Sequence, residues 1–125
     1  MIRSVALVAA VAALLSGCSE HTRPPGDVGI CFQVQPEKDG ALKYNRLPGS
    51  QPDLEHCAGA LEAVRMKFLQ MGGSQVEITG AYQGNFIFLR KDGIFTAPSL
   101  EEHRYLALVR TGDGRLALPS AMPQQ

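Results

Sequence analysis

Residues 50–73 read SQPDLEHCAGALEAVRMKFLQMGG, and the spacing of their apolar side chains decides the fold. Leu54, Cys57, Ala58, Leu61, Val64, Phe68 and Met71 recur at steps of three and four, which puts them on one stripe of a helix. Glu55, Glu62, Arg65 and Lys67 fall mostly off that stripe. Ser50-Gln51-Pro52-Asp53, a serine followed three residues later by an acid, resembles a capping box at the helix start. Gly72-Gly73 ends the helix.

On either side the period changes from helical to alternating. Upstream, Ile30 to Val34 and Ala41 to Leu47 are β-favouring runs with the turn signal Asp39-Gly40 between them, which predicts a hairpin. Downstream, from Gln75, Val76, Ile78, Gly80 and Tyr82 share one face of a strand. Gln83-Gly84-Asn85 turns into Phe86 to Arg90, and Asp92-Gly93 turns into Ile94 to Ala97. Pro98 breaks the run; Arg104 to Arg110 and Arg115 to Leu118 then form a last hairpin around Thr111-Gly112-Asp113-Gly114. The pattern predicts an α+β fold, one amphipathic helix packed on an antiparallel sheet, in the order β-β-α-β-β-β-β-β. Alternation is expected to bury Phe86 and Phe88 together under the helix, and Pro119 to Gln125 is expected to be a flexible tail.

The amino terminus carries an address. Arg3 precedes the apolar run Val5 to Leu15, which ends in Leu15-Ser16-Gly17-Cys18. The uncharged span 4–17 is shorter than the roughly 20 residues a membrane-crossing helix needs, which argues against a permanent span. The stretch resembles the lipobox of bacterial lipoproteins. A plain cleaved export signal shares the small residues before the cut, but only lipidation demands a cysteine directly after Leu-Ser-Gly. The resemblance implies that residues 1–17 are a signal peptide, that the Cys18 thiol receives a diacylglyceryl group, and that the new amino group is acylated, typically with palmitate. Two or three chains on one residue make a stable anchor, since each buried methylene contributes about 0.8 kcal/mol. Ser19 in place of an Asp implies the outer membrane, periplasmic face. Residues 18–29, with Pro24, Pro25, Gly26 and Gly29, are read as a lipidated, flexible tether reaching at most about 36 Å, and residues 30–118 as a single domain.

If lipid consumes Cys18, Cys31 and Cys57 remain as a pair in a compartment where disulfides persist. Their rivals fare worse: no histidine stands at zinc-ligand spacing, and the separation is far from Cys-x-x-Cys. The expected bond ties the helix to the first strand and contributes about 3 kcal/mol. The whole chain balances 12 basic against 12 acidic residues. Loss of Arg3 with the signal leaves a single net negative charge, so nucleic acid is not an expected partner.

Motifs for chemistry are sparse. His21, His56 and His103 stand apart, Glu101-Glu102-His103 is a lone cluster, and Ser74, Ser99 and Ser120 lack a nucleophile elbow. No catalytic residue, metal site or cofactor is assigned. Two surfaces are candidates for binding: the aromatic turn around Tyr82, Phe86 and Phe88 with Gln83 and Asn85, and a basic group of Arg90, Lys91, Arg104, Arg110 and Arg115. Of these, Tyr82, Arg90, Arg104 and Arg110 are the residues singled out. The expectation is a non-enzymatic, membrane-held binding or accessory module of the cell envelope, acting through a protein partner. Its alternatives are capture of a small ligand or envelope polymer on the open sheet face, and a small hydrolase, which would require His103 to cluster with Glu101 or Asp113.

Overall fold

The helix predicted from residues 50–73 is present as α1, Leu54–Gln70, in a computed structural model that describes residues 22–73 and 77–121. Its start corrects the sequence reading. The cap is Asp53, not Ser50: Asp53 has extended backbone angles and its carboxylate accepts from the His56 backbone N–H at 2.8 Å. Gln51 is committed elsewhere, its N–H to the Gly29 carbonyl at 2.8 Å and its carbonyl to the Tyr82 hydroxyl at 2.7 Å, which holds residues 50–52 outside the helix. At the other end Gly72, at φ 86°, donates to Leu69 and Gly73 donates to Phe68, the paired bonds of a Schellman motif. The Phe68 ring lies so close to Gly73 that a β-carbon there would fall 2.1 Å from it.

Seven strands form one antiparallel sheet: β1 Cys31–Pro36, β2 Leu42–Arg46, β3 Ile78–Tyr82, β4 Asn85–Arg90, β5 Gly93–Ala97, β6 Tyr105–Arg110 and β7 Leu116–Ala117. The class is α+β, one helix on an antiparallel sheet. Across the sheet the order is β2-β1-β3-β4-β5-β6-β7, which is not the order of the chain. The chain leaves β2 for the helix and returns beside β1, where Cys31 pairs with Tyr82 and Val34 with Thr79, so β2 is left at the edge. The tail begins as a short 3-10 turn, Pro119–Ala121.

Both faces of the sheet are packed. On the helix side lie Cys57, Ala58 and Leu61 of α1 against Cys31, Ile78, Tyr82, Ile87, Leu89, Ile94 and Leu108. Leu61 sits directly on Gly80, where an added β-carbon would stand 2.2 Å from Leu61 Cδ1 and 2.9 Å from the Phe32 carbonyl. Cys31 and Cys57 form a disulfide, fully buried, that joins β1 to the first turns of the helix. The apolar stripe is not buried along its whole length: Phe68 and Met71 are exposed, and Arg65 is buried instead, its guanidinium 3.1 Å from Glu62.

On the other face Phe86 and Phe88 pack with Phe32, Val34, Ala81 and Ala97, which overturns their expected place under the helix. Residues 86–89 are apolar at four successive positions and all four are buried. Alternation therefore could not say which pair faces α1, and it is Ile87 and Leu89 that do. This second face is not open. Ile30 and Leu100 pack onto it, and the Arg104 guanidinium lies 3.6 Å from the centre of the Phe88 ring.

Ile30 ends a strap, residues 22–30, most of which the sequence assigned to a flexible tether. The Thr22 N–H and hydroxyl both donate to the Glu101 carboxylate at 2.9 Å, and the Leu100 N–H donates to the Thr22 carbonyl at 3.3 Å. Further along, the Pro25 carbonyl accepts from Gly84 at 3.0 Å, and the Gly29 N–H donates to the Gln83 side chain at 2.8 Å. Pro24 is buried. A proline-rich segment without apolar period can still dock when backbone groups and a few side chains give it partners. Residues 1–21, which include the signal, Cys18 and His21, lie outside the described residues, as do Ser74, Gln75, Val76 and residues 122–125. Among the described residues no helix is long and apolar enough to cross a membrane.

Candidate functional site

The residues singled out for binding do not assemble into one surface. Tyr82 is 3% exposed and its hydroxyl is spent on the Gln51 carbonyl, so it fastens β3 to the loop before the helix. The aromatic turn beside it is a two-residue hairpin, with Gln83 at φ 45° and Gly84 at φ 82° joining the paired Tyr82 and Asn85. Arg104 spans Phe88 to reach Glu77 at 2.8 Å, a cation over a ring with its charge answered.

Arg110 is a clamp. Its Nε and Nη2 grip the two oxygens of Glu62 at 3.0 and 2.8 Å, and Nη1 donates to the Arg90 carbonyl at 2.6 Å and the Lys91 carbonyl at 3.3 Å. One side chain thereby holds β6, the β4–β5 turn and α1 together. Arg90 itself pairs with Asp92 at 3.2 Å and lies over Phe95. The depression beside it is lined by Glu77, Arg90, Lys91 and Asp92, two cations and two anions, so it offers no surplus charge to an anion. At Arg90, Arg104 and Arg110 the guanidinium already has a carboxylate.

The groups that a hydrolase would need each have other partners. His103 stacks edge-on against Tyr105 at 4.8 Å, while the Glu101 carboxylate holds Thr22. Asp113 lies in the β6–β7 turn bonded to the Thr111 hydroxyl, which holds its carboxyl below the usual carboxylate range. Glu102 turns one oxygen inward without a partner among the described residues. His56 pairs with Asp53 at 2.7 Å on the surface. No three His, Cys, Asp or Glu residues among those described are placed to hold a metal ion.

What the sequence did not single out is the end of the helix. Phe68 and Met71 are 42% and 79% exposed, although both belong to the apolar stripe. Beside them runs a groove of about 370 Å³ between α1 and β1, lined by Gln33, Val34, Gln35, Pro36, Val64, Phe68, Ile78 and Thr79. The signal was present in the sequence: the stripe outlasts the sheet. β1 ends at Pro36 and β3 begins at Ile78, and Phe68 and Met71 stay exposed at the end of the helix beyond the buried part of the stripe.

These features define two ends. The strap, the Gln83-Gly84 turn and the helix start share one end through their mutual hydrogen bonds. The groove, Phe68 and Met71 lie toward the other, about 25 Å along a 17-residue helix. No protein-family model, curated protein or solved structure matches the chain.

Proposed function

We propose that the protein is a lipid-anchored, non-enzymatic binding module of the bacterial cell envelope, held at its membrane through Cys18 and offering the end of α1 to a protein partner. The address in residues 1–18 supports the anchor, and Ser19 favours the outer membrane facing the periplasm. One observation carries the binding role: Phe68 and Met71, exposed side by side at a groove of mixed polar and apolar lining, on a domain whose sheet is packed on both faces. A thioether and a ring at a groove edge suit contact with a peptide segment or helix of another protein, because methionine adapts its shape and aromatic rings supply area at low entropic cost. Anchoring supplies the other half of the mechanism. A domain confined to a thin layer meets an equally confined partner at high effective concentration, so a modest contact suffices.

The test is site-specific crosslinking in cells, using the full acylated chain. A photoreactive residue in place of Met71 gives a discrete adduct with a second polypeptide, and Phe68→Asp abolishes it. The same residue in place of Arg115, exposed in the β6–β7 turn, gives none. Equal adducts from both positions, or adducts indifferent to Phe68→Asp, overturn the reading.

A further inference from the structure

We infer that the strap seats the domain directly on the lipid headgroups, Val28 foremost, so that the molecule has a fixed membrane side. The inference rests on the reading that Cys18 is acylated, and it adds which surface meets the bilayer. Thr22 is pinned to Glu101 and Leu100 by three hydrogen bonds, so the docked chain reaches back at least to Thr22 and not only to Gly29. From Cys18 to Thr22 the chain makes four Cα steps, at most about 15 Å. A domain of this size has a radius of gyration of about 13 Å, so the link is shorter than the body it holds. Such a link forbids free tumbling and keeps the side it leaves from against the headgroup layer.

The strap is suited to that contact. Val28 is 86% exposed, more than any other large apolar residue described, on a segment whose neighbours Pro24 and Ile30 turn inward. Arg23 and Asp27 precede it on the strap, exposed and opposite in charge, so the strap carries an apolar tip without net charge. An isolated valine at the surface needs no explanation by itself. On a segment held within reach of the bilayer it becomes an interfacial contact, of the kind that apolar side chains make at the boundary of headgroups and acyl chains.

The chain has no tryptophan, which makes single reporters available. Full-length acylated protein carrying Val28→Trp or Met71→Trp is reconstituted into phosphatidylethanolamine–phosphatidylglycerol vesicles containing a lipid with a nitroxide on its headgroup. Val28→Trp loses most of its fluorescence relative to unlabelled vesicles, whereas Met71→Trp, at the far end of the helix, keeps most of its own. Equal loss at both positions, or no loss at Val28→Trp in protein that sediments with the vesicles, overturns the seating and leaves the anchor standing. Protein that stays in the supernatant and whose amino-terminal peptide shows no acyl mass removes the anchor and the seating together.

Discussion

At the residue scale, two positions show how little freedom the sequence has where the helix meets the sheet. Gly80 is the point at which Leu61 touches backbone, and a methyl group there collides with Leu61 Cδ1 and with the Phe32 carbonyl. Gly80→Ala is expected to cost about 1–3 kcal/mol in denaturant unfolding, the range for an overpacked core. Leu61 can yield but the carbonyl cannot, so adding Leu61→Ala to Gly80→Ala recovers only part of the loss relative to Leu61→Ala alone. Asp53 is the second. The His56 backbone N–H holds its carboxyl below the usual carboxylate range, with the His56 side chain contributing. A carboxyl whose folded pKa is depressed stabilises fully above its unfolded pKa and loses that contribution as pH falls through the folded value. The melting temperature should therefore gain an added fall below about pH 4 that is smaller in Asp53→Asn, which keeps an acceptor at the cap without the titration. Parallel pH profiles for the two proteins would contradict this account of the cap.

At the scale of elements, helix and sheet are joined covalently at one end and by charge near the middle. The disulfide links Cys31 and Cys57, 26 positions apart, and reducing it is expected to remove about 3 kcal/mol of unfolding free energy. An unchanged denaturation midpoint in reductant would show that the bond does not restrain the unfolded chain. Glu62 faces Arg65 and Arg110 at once with its side chain 15% exposed, so Glu62→Ala removes the carboxylate that both partly covered guanidinium groups share and should cost about 2 kcal/mol. Glu62→Gln, which keeps one oxygen to accept from both arginines but loses the charge and the second acceptor, should fall between. These elements were legible to different degrees. The helix, the hairpin turns and the change of period are written in apolar spacing and in Gly-containing dipeptides, because backbone geometry reads both locally. The face of Phe86 and Phe88 was not legible, since Phe86, Ile87, Phe88 and Leu89 are all apolar and only the contact of Leu61 with Gly80 shows which side the helix takes. The arginine partners were equally hidden, because Arg110 meets Glu62 from 48 positions away. The strap was misread for a related reason: its contacts are backbone hydrogen bonds, which leave no side-chain period in the sequence.

At the scale of the whole molecule, sequence and structure each supply half of the functional account. The structure places the pinned start of the strap at one side and the exposed end of α1 toward the other, and the sequence places an acylation signal four residues before the strap. Under the proposed anchoring the body is held short and oriented, with the groove at the end of α1 away from the strap. Residues 19 to 22 enter that proposal through the length of chain they contribute, and Cys18 through its thiol. Everything in this arrangement depends on the modification of one thiol. The decisive measurement is the mass of the amino-terminal peptide of protein isolated from its native envelope. The account predicts a chain that begins at Cys18 and carries the added mass of a diacylglyceryl group with an amide-linked acyl chain. A chain that retains residues 1–17, or begins at Cys18 with an unmodified thiol, would contradict it.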